Sequence, residues 1–349
     1  MKTVVITGGG TGGHLFASLA FADYIKSLGY TPFIIGSVYG IEKEKLKHYP
    51  YRYKLLKTKG FAGKSLQEKL KSIYGVGLSI AETAKLIMRI KPAFSIGFGG
   101  YTTVPVILSS KLLGIKTAIV EQNSIAGRAN RFLSKFSDVV FVNFEDTAHL
   151  FKNHKRVVHS GNPVRKDIVI KKRNFNKDRF TIGVVGGSRG AKSINRAMME
   201  FAKKTDLKVN VIHQTGTEDL KEVEKIYIQQ KPDWKAVAFI DNMKEFYEKI
   251  DFIICRAGAS TLSEIACARL GSLLIPYPYA IYNHQYHNAE VFVKKGAAVL
   301  VEDENLSGKK IESIILSLNQ NKLRLLSENA NSLCVANACE KIFETLQKI

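Results

Sequence analysis

Four stretches of this chain combine glycines, hydroxyls and single titratable side chains in patterns suited to holding phosphates and sugars. Gly8-Gly9-Gly10-Thr11-Gly12-Gly13-His14 contains G-x-G-x-x-G at positions 8, 10 and 13. Gly186-Gly187-Ser188-Arg189-Gly190-Ala191-Lys192-Ser193 falls one residue short of a P-loop, with Ala191 where glycine is required. Arg256-Ala257-Gly258-Ala259-Ser260-Thr261-Leu262-Ser263-Glu264 places small residues and hydroxyls at a helix start, and Gly99-Gly100-Tyr101 makes a fourth loop. Helix starts of this kind offer backbone N–H groups to anions. Ser260 and Glu264, four apart, share a helical face. A carboxylate there can accept two hydrogen bonds from a ribose diol, although an acid favoured by the helix dipole gives the same pattern. Glycines that serve packing alone are the alternative for the first loop. Several such loops on one cleft suggest a ligand with a diphosphate and a sugar.

Two nucleotide chemistries fit less well. A dinucleotide fold places an acid at the end of its second strand, but here that strand ends Ile34-Ile35-Gly36-Ser37, with no carboxylate before Glu42. Val237-Ala238-Phe239-Ile240-Asp241 resembles a Walker B strand, yet the missing glycine at Ala191 argues against an ATPase. No D-x-D motif or histidine cluster offers a metal site. Glu302-Asp303-Glu304 reads as a surface turn. Helix dipoles and an arginine are then left to neutralise a leaving group, with no metal cofactor.

The elements that position these loops alternate along nearly the whole chain. Apolar runs at 2–7, 31–36, 93–97, 117–120 and 139–142 read as strands, with helices such as 15–28 and 125–135 between them. The pattern restarts with strands at 180–185, 209–213, 237–240, 252–255 and 273–275. Both halves open alike, as an apolar strand, a glycine pair and then a helix. The expected fold is therefore α/β, two Rossmann-like domains facing a cleft, with ligands at the carboxyl ends of parallel strands. The polar stretch 174–179 reads as a linker.

Composition narrows the class further. Of 349 residues, 45% are hydrophobic and 24% charged, which is globular rather than disordered. The N-terminus enters a glycine turn at once, with neither h-region nor cleavage site, and does not read as a signal peptide. The longest uncharged stretch, 92–110, contains Gly97, Gly99, Gly100 and Pro105 and reads as strand, loop and helix start. Cys255, Cys267, Cys334 and Cys339 lack metal-ligand spacing and are expected as buried thiols in a reducing cytoplasm. A net charge of +21 suggests nucleic acid, an anionic membrane or an acidic substrate.

In order, Gly9-Gly10-Thr11-Gly12-Gly13-His14, Gly99-Gly100-Tyr101, Glu121-Gln122-Asn123, Gly161-Asn162-Pro163-Val164-Arg165, Gly186-Gly187-Ser188 and Ser263-Glu264 resemble the MurG family of N-acetylglucosaminyltransferases. The resemblance spans roughly residues 4–300. It implies the glycosyltransferase type B fold, with an acceptor- and membrane-facing domain over 1–163, a UDP-sugar domain over 164–330, and a terminal helix over 331–349 packing back on the first domain. The implied reaction is an inverting transfer from UDP-N-acetylglucosamine to the C4 hydroxyl of lipid I, making the β-1,4 link of lipid II for peptidoglycan. Ser188 and Arg165 would lie near the uridine diphosphate. Ile240 would offer its backbone to the uracil and Glu264 its carboxylate to the ribose. Ala259, Ser260, Thr261, Leu262 and Ser263 would wrap the diphosphate, while Gln285 and Asn123 would contact the transferred sugar. Thr11, Gly12 and Gly13 would approach from the acceptor side. His14 is the first candidate for the base, Glu121 the second and Tyr101 the third.

The chain departs from the family at three points. Leu15-Phe16-Ala17-Ser18 lacks the usual proline, Ser124 replaces a glycine, and His284 stands where a second glutamine is usual. These changes leave the reaction type alone and weaken the case for His284 as a sugar contact. Residues 1–160 hold 23 Lys+Arg against 9 Asp+Glu, so two-thirds of the excess charge falls on the acceptor half. There Lys64, Lys69, Lys71, Lys85, Arg89 and Lys91 interleave with Leu66, Leu70, Ile73, Leu78, Leu86, Ile87 and Met88. This suits peripheral attachment to the cytoplasmic face of an anionic inner membrane, although an ordinary amphipathic helix has the same pattern. Cell-wall and division machinery are compatible partners. No nucleic-acid module is recognisable. The nearest enzymatic rival is a UDP-N-acetylglucosamine 2-epimerase.

Overall fold

A computed structural model of the chain describes residues 2–58 and 66–349, and for 66–74 and 76 the backbone only. The chain forms two compact units, Met1–Val164 with Val335–Ile349, and Arg165–Cys334. The first holds strands β1 (Thr3–Thr7), β2 (Thr31–Ser37), β3 (Arg52–Leu56), β4 (Phe94–Gly97), β5 (Lys116–Glu121), β6 (Val139–Val142) and β7 (Val157–His159). All pair in parallel, in the order β3-β2-β1-β4-β5-β6-β7. Its helices are α1 (Gly12–Ser27), α2 (Glu42–Lys45), α3 (Leu66–Ile90), α4 (Thr103–Leu112) and α5 (Arg128–Leu133).

The second unit repeats the plan with β8 (Thr181–Val185), β9 (Asn210–Gln214), β10 (Lys235–Val237), β11 (Phe252–Cys255), β12 (Gly271–Leu274) and β13 (Ala298–Leu300). These pair in parallel as β10-β9-β8-β11-β12-β13. Its helices are α6 (Lys192–Lys204), α7 (Leu220–Gln230), α8 (Met243–Lys249), α9 (Ala259–Cys267), α10 (His284–Lys294), α11 (Gly308–Leu316) and α12 (Gln320–Asn331); the last helix, α13 (Ala338–Gln347), belongs to the first unit. Strand order reverses between β1 and β4 and between β8 and β11, and ligands gather at such switch points. The glycine loops follow β1, β4, β8 and β11.

Strands buried on both faces need no polar–apolar alternation, which is why β1, β4, β6, β11 and β12 read as short apolar runs. The edge strand β3, with three of its five residues exposed, carries no such signal and was missed, as were β7 and β13. The expected strand at 237–240 lies earlier, at Lys235–Val237, because buried Trp234 anchors its start by donating from Nε1 to the Val209 carbonyl. Residues 174–179 are not a linker. Phe175 enters the core of the second unit, Lys177 pairs with buried Asp251, and Arg179 bonds Asn210 and Asp233.

The expectation of four thiols also fails. Cys267, closing α9, and Cys334, just after α12, are joined in a disulfide with Cα atoms 4.8 Å apart, while Cys255 and Cys339 keep their thiols. The packing of α12 against α9 brings the pair together across 67 residues, a proximity no local spacing reveals. Within the first unit, α13 puts Ile342, Phe343 and Leu346 into the core. The Phe343 ring meets Tyr24, Tyr30 and Phe94 at centroid distances of 6.2, 5.2 and 6.4 Å. Phe343→Ala should therefore destabilise the first unit by about 3–5 kcal/mol. Urea unfolding measures it, and a loss near zero would show that α13 does not complete this core.

Candidate functional site

In the first unit the site rests on two glycine loops packed backbone to backbone. Gly100, at φ +83°, lies so close that a Cβ would stand 2.1 Å from the Gly9 carbonyl oxygen. Gly9 N–H in turn points to the Gly99 carbonyl at 3.5 Å, and the Tyr101 ring covers Gly10. Thr11 caps α1 by accepting from His14 N–H. His14 Nδ1 lies 3.1 Å from the Gly9 carbonyl. A carbonyl only accepts, so that contact puts the proton on Nδ1 and the basic lone pair of the neutral ring on Nε2.

A side chain of the protein itself already fills the space beside this loop. Glu42, fully buried, accepts from Gly10 N–H through Oε1 at 2.9 Å. A Cβ on Gly9 would stand 1.7 Å from that oxygen, and one on Gly40 would stand 1.8 Å from Oε2. The glycines are therefore needed to make room for an internal carboxylate. At the end of β2, where a dinucleotide fold needs an acid, Ser37 donates to the Thr58 carbonyl.

Glu121, only 2% exposed, ends β5 and organises the loop that follows. Its carboxylate accepts from Asn123 N–H, Asn123 Nδ2, Gly127 N–H and Asn130 Nδ2 at 3.0, 3.4, 2.9 and 2.8 Å. Burial raises its carboxyl pKa, and the four donors offset only part of that rise. Oε1 holds Asn123 and Oε2 holds Gly127 and Asn130, so both oxygens are committed to this loop.

In the second unit α9 begins at Gly258, which supplies no side-chain cap, and α6 begins at Ala191, likewise without one. These two helix starts leave backbone N–H groups without a side-chain cap, as do α4 and α5 of the first unit, whereas α1 is capped by Thr11. Ala259, Ser260, Thr261, Leu262 and Ser263 form the first turns of α9, and Glu264 follows on the face of Ser260. Glu264 Oε2 accepts from the Tyr247 hydroxyl at 2.8 Å. Burial raises the Glu264 carboxyl pKa, while the Tyr247 bond and the Arg165 charge lower it. Tyr247, itself 1% exposed, went unrecognised from sequence because it belongs to α8 and to no motif.

Arg173 braces both helices. Its guanidinium donates to the carbonyls of Ala268, Ile250 and Tyr247, each at 2.6 Å, and burial lowers its pKa to about 10. Ser188 is exposed in the loop after β8, and Ile240 lies in the segment after β10 with its N–H donated to Gln214. Gln285 accepts from Tyr277 N–H at 2.9 Å, while His284 Nδ1 meets the Ile281 carbonyl at 2.8 Å and closes its own turn. Ser188, Arg165, Ile240, α9 and Gln285 thus belong to the second unit, and Thr11, Gly12, Gly13, His14, Tyr101, Glu121 and Asn123 to the first.

The P-loop likeness dissolves in the structure. Lys192 pairs on the surface with Glu218, and Ser193 donates to Asp303. Asp303 is more than a surface turn residue, since it also holds Arg256, whose guanidinium donates to the Ile275 and Pro276 carbonyls as well. Among the described residues no group of three His, Cys, Asp or Glu side chains could hold a metal ion.

Residues 4–142 match the glycosyltransferase family 28 N-terminal domain, and residues 181–346 match the family 28 C-terminal domain. A protein of Syntrophus aciditrophicus is 37% identical over 341 residues, covering 96% of this chain and 94% of its own; it is named UDP-N-acetylglucosamine–N-acetylmuramyl-(pentapeptide) pyrophosphoryl-undecaprenol N-acetylglucosamine transferase. One from a Thermoanaerobacter species, named alike, is 36% identical over 360 residues and 99% of each chain. The crystal structure of Acinetobacter baumannii MurG superposes with a TM-score of 0.83 over the whole of both chains at 28% identity.

Beneath the second-unit loops a buried network joins α6, β9 and α7. Asn195 Nδ2 donates to the Thr215 carbonyl and to Asp219, so its Oδ1 accepts from His213 Nε2–H at 3.0 Å. His213 Nδ1 then accepts from the Tyr227 hydroxyl at 2.8 Å. Burial pulls the His213 pKa down to about 3. The unfolded chain, with an ordinary histidine pKa near 6.5, binds this proton first, so stability falls as pH drops from about 6.5 towards 3. This group alone should make the protein about 2 kcal/mol less stable at pH 5 than at pH 7. Urea unfolding of the wild type and His213→Gln checks it: an unchanged pH dependence in the variant would remove His213 as the cause.

Proposed function

The chain belongs to the MurG family within glycosyltransferase family 28, and we propose on that footing a division of labour among its residues. It is a hexosyltransferase that moves N-acetylglucosamine from UDP-N-acetylglucosamine to the C4 hydroxyl of the muramyl sugar of lipid I. The reaction inverts the anomeric centre and yields lipid II and UDP. The hydroxyl oxygen forms a bond to the anomeric carbon while the bond to the diphosphate breaks. The electron pair leaves with UDP, and the hydroxyl proton passes to a base.

The observation that carries the assignment of the base is the contact of His14 Nδ1 with the Gly9 carbonyl. It orients the ring, sets Nε2 as the accepting atom, and supports the imidazolium once the proton has arrived. Glu121 suits the role less, because its two oxygens already accept four hydrogen bonds from its own loop. We assign it the positioning of Asn123. Tyr101, laid over Gly10, helps to shape the acceptor loop of Thr11, Gly12 and Gly13.

The second unit is the donor half of this reading. The first turn of α9, with Ser188 and Arg165, meets the diphosphate, so backbone N–H groups and one guanidinium carry the charge that a metal carries in other transferases. Glu264, held at Oε2 by Tyr247, turns to the ribose, and Gln285 to the transferred sugar.

Lipid I brings the enzyme to a membrane, and we place it peripherally on the cytoplasmic face. No described helix is long and apolar enough to cross. Leu78 and Met88 on α3, Leu112 on α4 and Phe132 on α5 are exposed on neighbouring helices, beside Lys85, Arg89, Arg131 and Lys135. Ile87 and Leu86 instead turn to the core. Lys64 lies outside the described residues, as do the side chains of Leu66, Lys69, Leu70, Lys71 and Ile73. Basic residues beside apolar ones favour anionic lipid by about 1 kcal/mol each.

Purified protein with a lipid I analogue and labelled UDP-N-acetylglucosamine should give a disaccharide lipid and UDP. Epimerised sugar without transfer would overturn the reading. His14→Ala should lower kcat roughly 100-fold or more with little change in UDP affinity, and near-normal turnover would remove His14 from the mechanism. Binding to phosphatidylglycerol vesicles should be lost in high salt and on reversing Lys85 and Arg89. Equal binding to neutral vesicles would refute an electrostatic attachment.

A further inference from the structure

Gln214 closes the middle strand of three, with β8 on one side and β10 on the other. Its side chain is 3% exposed. From this position it reaches a candidate donor loop on each side. Nε2 donates to the Gly187 carbonyl at 2.8 Å, and Oε1 accepts from Ile240 N–H at 2.8 Å. One carboxamide thus joins the loop of Gly186–Gly190 to the segment of Ile240, using its donor for one and its acceptor for the other.

Each bond also sets the sense of a peptide plane. Among the described residues no peptide bond is cis, and in a trans peptide the C=O and the following N–H point in opposite directions. Gln214, together with Gly190 N–H at 3.0 Å, holds the Gly187 carbonyl and so turns Ser188 N–H to the opposite side, where the loop is exposed. Holding Ile240 N–H inwards likewise turns the Phe239 carbonyl away from Gln214. A donor suited to a phosphate oxygen and an acceptor suited to a nucleobase N–H are thereby aimed by the same side chain. The loop has little freedom to compensate, since a Cβ on Gly190 would stand 1.8 Å from the Thr215 carbonyl oxygen next along the chain from Gln214.

Resting on the nucleotide-sugar reading above, we propose that Gln214 is a positioning residue that couples the diphosphate and base subsites of the donor. Glutamine is required chemically. A glutamate of the same shape has no N–H and would press a carboxylate oxygen against the Gly187 carbonyl, and asparagine is one methylene too short to span both partners.

The test separates the two subsites with fragment ligands. Affinities for uridine, inorganic diphosphate and UDP are measured by calorimetry on the wild type and Gln214→Glu, with melting temperature as a folding control. Both fragments should bind about tenfold more weakly in the variant, and the KM for UDP-N-acetylglucosamine should rise with kcat within about twofold. If Gln214→Glu does not fold, Gln214→Met carries the same measurements. Loss of only one fragment, or of neither, overturns the coupling. Wild-type protein that binds neither fragment nor UDP overturns the nucleotide-sugar reading and the coupling with it. Wild-type binding that the variant leaves intact overturns the coupling alone.

Discussion

The Gly9 carbonyl occupies the space that a side chain on Gly100 would fill, and the geometry of both glycine loops in the first unit depends on that contact. It brings the loops after β1 and β4 together at the point where strand order reverses. The same carbonyl then orients His14 and sets which ring nitrogen carries the proton. A methyl group at Gly100 would separate the loops and release the imidazole in one step. The second unit is built on an equivalent contact, in which Gly190 and Gly216 let the loops after β8 and β9 pass backbone against backbone. Glycine is needed at these places because two main chains meet there, and left-handed φ is the accompanying geometry.

Around these contacts, buried polar groups hold loops in place. Glu42 fills the glycine cradle from below, Glu121 gathers four donors from one turn, Arg173 ties the ends of α8 and α9, and His213 links α6, β9 and α7. A buried polar group without partners is costly, so each of these sites is strongly tied to one arrangement. The consequence for ligand binding is an asymmetry. Glu42 accepts from Gly10 N–H and Thr11 from His14 N–H in the first loop, whereas the helix starts at α6 and α9 lack side-chain caps of their own. Two loops that look alike in sequence are therefore tied down in different ways.

Much of the architecture was legible because parallel strands buried on both faces are short, apolar and bounded by glycine. That signal identified β1, β4, β5, β6, β8, β9 and β11 to within a residue or two. It failed at the edges, where β3 and β13 carry few buried residues, and at 174–179, where a polar segment conceals the core residue Phe175. It failed as well for cysteine chemistry, because Cys267 and Cys334 approach only through the packing of two helices.

Residue types along the chain determined the two α/β halves, the four glycine loops and the reaction family, because strand, turn and helix signals are local and the motif residues keep their order. Tertiary structure alone decided which nitrogen of His14 accepts, that Tyr247 holds Glu264, that Glu42 occupies the first loop, and that Gln214 spans two others. Most of these contacts join residues 17 to 32 positions apart on different elements. No periodicity records such pairs, since each hydrogen bond exists only once the sheets have brought the strand ends side by side.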